Sequence, residues 1–68
     1  IRRKPNAGLY QKQFEAIRVA YSLGYFDYPK RASIRDVAQK LGVSVSTATE
    51  LLRRAERRLV EAYLRGIS

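Results

Sequence analysis

The 68-residue chain contains neither cysteine nor histidine, and only six acidic residues stand against 14 lysines and arginines. Each scarcity removes a class of function. Without thiol or imidazole, zinc fingers, thiol nucleophiles, Ser-His triads and histidine-based pH switches are excluded within this segment. Cysteine usage therefore says nothing of disulfides or redox compartment. The acids are dispersed, and no pair of them is joined by a nucleophile or a metal-ligand set. Catalysis is thus the least favoured class, and no metal or cofactor is expected. No apolar run approaches the ~20 residues of a membrane span, and no signal-peptide core is visible. A cytoplasmic protein without membrane contact is the default.

What remains is a small and strongly basic body. The formal charge is +8 and the isoelectric point about 10.5, a positive field suited to a polyanion. The plainer alternative is a soluble basic surface with no partner. A chain of this length makes one small domain, or part of one, with a marginal core and no room for a large catalytic pocket. It starts at Ile1 rather than Met, so a fragment of a longer protein is expected.

Residues 1–8 form an expected tail, with Arg2, Arg3 and Lys4 ahead of Pro5-Asn6-Ala7-Gly8. It is either a solvated linker or a basic arm that touches phosphates or a minor groove. The domain proper is expected over 9–68 as an all-α fold of three helices, at about 10–23, 34–41 and 45–65. In the first, Tyr10, Phe14, Ile17 and Tyr21 recur at three and four and are expected to face the core. Gly24 is placed to end it, and Pro29 stops any helical continuation. Tyr25, Phe26 and Tyr28 in the connector are expected to fold back as a lid on the core, with base stacking as the competing role.

The most informative stretch runs from Ser33 to Arg54. Ser33 can cap a helix whose apolar face is Val37, Ala38 and Leu41, and Gly42 suits the left-handed residue that ends it. Val43 is the apolar residue of the turn, and Ser44 can cap the next helix. The small Ala38 permits the close approach that steeply crossed helices need. This is a helix-turn-helix pattern, with an extended C-terminal recognition helix, and it makes double-stranded DNA the leading partner.

By position, Ser44, Val45, Ser46, Thr49, Glu50 and Arg53 project away from Ala48 and Leu51 and are the candidates for base contact. Glu50 either accepts from a cytosine amino group or pairs along the helix with Arg53 or Arg54. Arg53 reaches a guanine edge or a phosphate. Lys30, Arg31, Ser33, Arg35, Thr47, Arg54 and Arg57 are the candidate phosphate contacts. Arg54, Arg57 and Arg58 equally suit a solvated face or pairing with Glu50, Glu56 and Glu61. Backbone N–H groups near Ser33 and Ser44 are further phosphate donors.

The end of the third helix carries more apolar surface than a three-helix core needs. It either packs back on the first helix or forms a homodimer seam. The expected division sends Ala48, Leu51, Ala55 and Leu59 to the core and leaves Leu52, Val60, Tyr63, Leu64 and Ile67 to a partner. The same surplus supports the alternative of a protein-interaction or dimerisation module without DNA contact. RNA binding is a third reading, and it needs exposed connector aromatics.

From Leu9 to about Tyr63 the chain resembles the helix-turn-helix domain of the bacterio-opsin activator (Bat) type, found in archaeal transcription regulators. The matching residues are Gln13, Glu15-Ala16, Ala20-Tyr21, Gly24-Tyr25-Phe26, Pro29-Lys30-Arg31, Val37-Ala38, Leu41-Gly42-Val43-Ser44, Leu52-Arg53-Arg54-Ala55-Glu56 and Leu59. The Gly-Tyr-Phe…Pro cluster is the specific part. The resemblance implies sequence-specific DNA binding and a sensory domain upstream in the full-length chain. The chain departs from the pattern at Tyr10, where a Thr commonly caps the first helix, at Val45, where Lys is frequent, and at Leu51, where His is frequent. Val45 instead suits apolar contact with a thymine methyl.

Overall fold

Alanine occupies the places where the helices of this protein meet. In the computed structural model, which describes residues 7–67 with side chains over 11–66, the helices are α1 (Ala7–Leu23), α2 (Ile34–Leu41) and α3 (Val45–Ile67). Each packs against the other two. Ala16 and Ala20 of α1, Ala38 of α2, and Ala48 and Ala55 of α3 are all buried, and Val37 is the one large side chain that is fully so among the described residues. Side chains this small let helix axes approach closely, at the expense of apolar area. Leu52 completes the cluster, and Ile17, Val19, Leu23, Tyr25, Ile34, Leu41 and Leu51 pack around it.

This arrangement corrects the expected inner face of α1. Phe14 is 44% exposed and Tyr21 71%, while Gln13 is buried beside Ala16 and Ala20. The aromatic residues dominate any hydrophobic periodicity, but the crossing selects the small side chains one position away. Buried Gln13 is satisfied: its Oε1 accepts from Arg58 Nε at 3.0 Å, tying α1 to α3. Helix α1 also begins at Ala7, so Ala7 and Gly8 belong to it and not to the tail. The Tyr10 side chain and the basic triplet of residues 2–4 lie outside the described part.

The two-helix unit follows the sequence closely. Gly42 has φ +76°, and its N–H donates to Ala38 O at 2.8 Å while Val43 N–H reaches the same carbonyl at 3.0 Å. That is the paired closure of a left-handed helix end. Helix α3 then runs straight through Gly66 to Ile67, two residues beyond the expected end.

On α3 the division between core and partner surface needs one exchange. Leu52, expected at a dimer seam, is 2% exposed within the core, and Leu59, expected in the core, is 47% exposed. Both lie on the stripe Ala48, Leu52, Ala55, Leu59, spaced four, three, four. The stripe reaches Leu59 where the neighbouring helices no longer enclose it, at the edge of an open groove that Ile17, Tyr21 and Phe26 border from the other side. Val60, Tyr63 and Leu64 are exposed, as expected, and the Ile67 side chain lies outside the described part.

Candidate nucleic-acid interface

The two helix starts of the helix-turn-helix differ in charge. At α2, Ser33 and Asp36 form a reciprocal cap: Asp36 N–H donates to Ser33 Oγ at 3.3 Å, and Ser33 N–H donates to Asp36 Oδ2 at 2.8 Å. The Ser33 hydroxyl is also within 3.1 Å of that carboxylate. A carboxylate thus already sits on the positive end of α2, and both Ser33 donors are engaged, so a phosphate there has to compete with Asp36. Ser-Ile-Arg-Asp is a legible capping signature, and Asp36 is the member that the expected phosphate set leaves out.

At α3 the cap is neutral. Ser44 Oγ accepts from Thr47 N–H at 3.1 Å and donates to Thr47 Oγ1 at 2.9 Å, with Ser46 Oγ 3.4 Å away. No acidic residue occupies the first turn. The partial positive charge of this helix end, with hydroxyls arrayed around it, remains open to an anion.

Behind that cap, α3 has an outer and an inner side. Ala48, Leu52 and Ala55 are buried, while Val45, Ser46, Thr49, Glu50 and Arg53 are exposed. Thr49 and Arg53 carry no side-chain hydrogen bond or ion pair among the described residues. Two other arginines are held along the helix: Arg54 Nη2 donates to Glu50 Oε2 at 2.7 Å, and Arg57 Nε donates to Glu61 Oε2 at 3.2 Å. Of the two alternatives for Glu50, the structure has the intrahelical pair. Lys12 of α1, absent from the expected set, lines a shallow depression with Thr47, Glu50, Leu51 and Arg54. Its proximity to α3 follows from the rotation of α1 that the periodicity misassigned.

A second basic group is set by the connector. Gly24, at φ +92°, turns the chain out of α1, and its carbonyl accepts from Asp27 N–H at 3.2 Å and Arg31 N–H at 2.9 Å. Lys30 Nζ lies 4.3 Å from the centroid of the Tyr25 ring, a cation–π contact, and Arg31 is 3.8 Å from Asp27. Lys30 and Arg31 line one depression with Ser33, Ile34 and Asp36, so the two cations of the connector stand beside the capped start of α2 and its carboxylate. Arg35 is exposed on α2. The lid expectation holds for Tyr25 alone: Phe26 is 43% exposed, with its ring edge-on to Tyr25, and Tyr28 is fully exposed. With Pro29 directly after Tyr28, and six residues, 25–30, between Gly24 and the Arg31 N–H that closes on its carbonyl, the loop is too short to turn three rings inward.

The fold, a capped two-helix unit with an outward polar face on α3, defines the class, and comparison with known proteins places the chain within it. Residues 9–61 match the family described as the HTH DNA binding domain, and the chain belongs to that family, of the bacterio-opsin activator type. It is 37% identical over 62 residues to a transcriptional regulator of Haloferax volcanii, covering 91% of this chain and 11% of that protein. It is 36% identical over 53 residues to the transcriptional regulator NarO of the same organism, covering 78% and 25%. The bacterioopsin transcriptional activator of Halobacterium salinarum is 34% identical over 55 residues, covering 81% and 8%. The chain therefore spans a quarter or less of the length of these relatives. No solved structure matches it.

Proposed function

We propose that this domain binds double-stranded DNA sequence-selectively, with the first turns of α3 in the major groove, and serves a longer cytoplasmic regulator of transcription whose upstream part senses a signal. The carrying observation is the outward set Ser46, Thr49 and Arg53 behind a neutral, uncapped-by-acid helix start. In this reading Ser44, Val45, Ser46, Thr49 and Arg53 meet base edges, and Glu50 holds Arg54 in place. Lys30, Arg31, Arg35, Thr47, Arg54 and Arg57 flank the groove as phosphate contacts, and Ser33 serves chiefly as a cap. No helix among the described residues is long and apolar enough to cross a membrane.

Anisotropy titrations against a labelled duplex at increasing salt test the electrostatic part. If about six phosphates are neutralised, the log–log slope is about −5. A flat dependence refutes it. Arg53→Ala tests the readout: a base contact costs about 1–3 kcal/mol and relaxes choice at one position of a site selected from a random pool. Uniform weakening across sequences makes Arg53 a phosphate ligand instead. The alternative, an interaction module without DNA contact, draws on the exposed apolar end of α3 and requires that no duplex bind even at low salt.

A further inference from the structure

The apolar end of α3 is a groove beside a ridge. Ile17, Tyr21 and Phe26 with Leu59 and Val60 line an apolar groove of about 390 Å³, and one turn further along α3 the exposed Tyr63 and Leu64 stand out from the helix. We propose that this surface is a two-fold interface with a second copy of the same chain, the ridge of each copy seated in the groove of the other.

Three observations favour a second copy over any other occupant. The first is self-complementarity: groove and ridge lie on one helix, so a two-fold axis crossing α3 between Val60 and Tyr63 satisfies both at once. It sets Val60 opposite the partner's Tyr63 and Leu59 beside the partner's Leu64, as an isologous interface requires. The second is area. Tyr21, Phe26, Leu59, Val60, Tyr63 and Leu64 are each about half exposed or more. With large apolar side chains carrying about 150–250 Å² each, they offer several hundred Å², the scale of one partner's ~800 Å² share in a stable complex. The third is charge. The patch is bordered by Glu56, which lines the groove, and by the paired Arg57 and Glu61, so no partner of a single sign suits it, whereas an identical copy brings both signs.

Sedimentation equilibrium of the 68-residue chain tests the interface without DNA. The expected result is twice the 7.8 kDa chain mass at micromolar to submillimolar concentration. Leu64→Glu and, separately, Val60→Glu are expected to weaken self-association at least about tenfold while keeping the helical circular dichroism of the monomer. Because the chain has no cysteine, mixing Val60→Cys with Tyr63→Cys is expected to give a mixed disulfide dimer, and Lys40→Cys none. A monomer throughout that range overturns the proposal. A dimer indifferent to both glutamates, or one lacking the mixed disulfide, overturns this surface. If the monomeric Leu64→Glu variant still binds a half-site, DNA binding stands apart from the interface; if the dimer forms but no duplex is bound, only the DNA reading fails.

Discussion

Gly24 and Gly42 share a positive φ but differ in what surrounds them, and that difference sets the sharpest stability prediction. Gly42, at φ +76°, has open space where a Cβ would stand. Gly42→Ala therefore costs only the left-handed penalty of an L-residue, about 1–2 kcal/mol. Gly24, at φ +92°, faces Arg31: an added methyl would come within 2.7 Å of Arg31 Cβ, which cannot swing aside without moving the backbone. That backbone is fixed by the Arg31 N–H donating to Gly24 O itself. Overpacking adds about 1–3 kcal/mol, for a total of about 2–5 kcal/mol. In a domain this small each kcal/mol lowers Tm by about 4–8 °C, and total stability rarely exceeds about 3–5 kcal/mol. Gly42→Ala is thus expected to fold with a lowered Tm, and Gly24→Ala to be largely unfolded at room temperature. Thermal melts and urea titrations followed at 222 nm measure both. A Gly24→Ala protein as stable as Gly42→Ala would refute the close-approach argument, and with it the account of how the connector is held.

The exchange on α3 gives a second contrast: Leu52→Ala is expected to cost about 2–5 kcal/mol as a buried truncation. Leu59→Ala should cost far less in the monomer and instead weaken self-association, which denaturation at several protein concentrations separates. Ser44→Ala removes the acceptor for Thr47 N–H and is expected to lower stability by about 1 kcal/mol in urea titration. Glu50→Gln frees Arg54 and removes a negative charge, so affinity for random duplex is expected to rise and its salt dependence to steepen.

Local chemistry made the helix-turn-helix legible. Ser33, Gly42 and Ser44 act within a few residues of themselves, through caps and a left-handed turn whose requirements are written in residue type. The outward placement of Ser46 and Thr49 follows from the same helix period, once Ala48 and Leu52 are known to face in. The inner face of α1 was not legible, because alanine carries little hydrophobic weight and Phe14 and Tyr21 outweigh it in any periodic pattern. Nor could Lys12 be placed near Thr47, or Gln13 against Arg58, since both depend on how α1 is rotated.

The sequence by itself determined the three helices, the turn at Gly42 and the basic character, since each arises from short-range backbone preference or from charge that no fold can remove. Only tertiary structure decided which leucine of α3 is core. Leu52 and Leu59 lie on one stripe, and their fates differ because neighbouring helices enclose Leu52 and leave Leu59 at the edge of an open groove. Distance along a stripe is a property of the chain, but the point at which its neighbours stop covering it is a property of the packing.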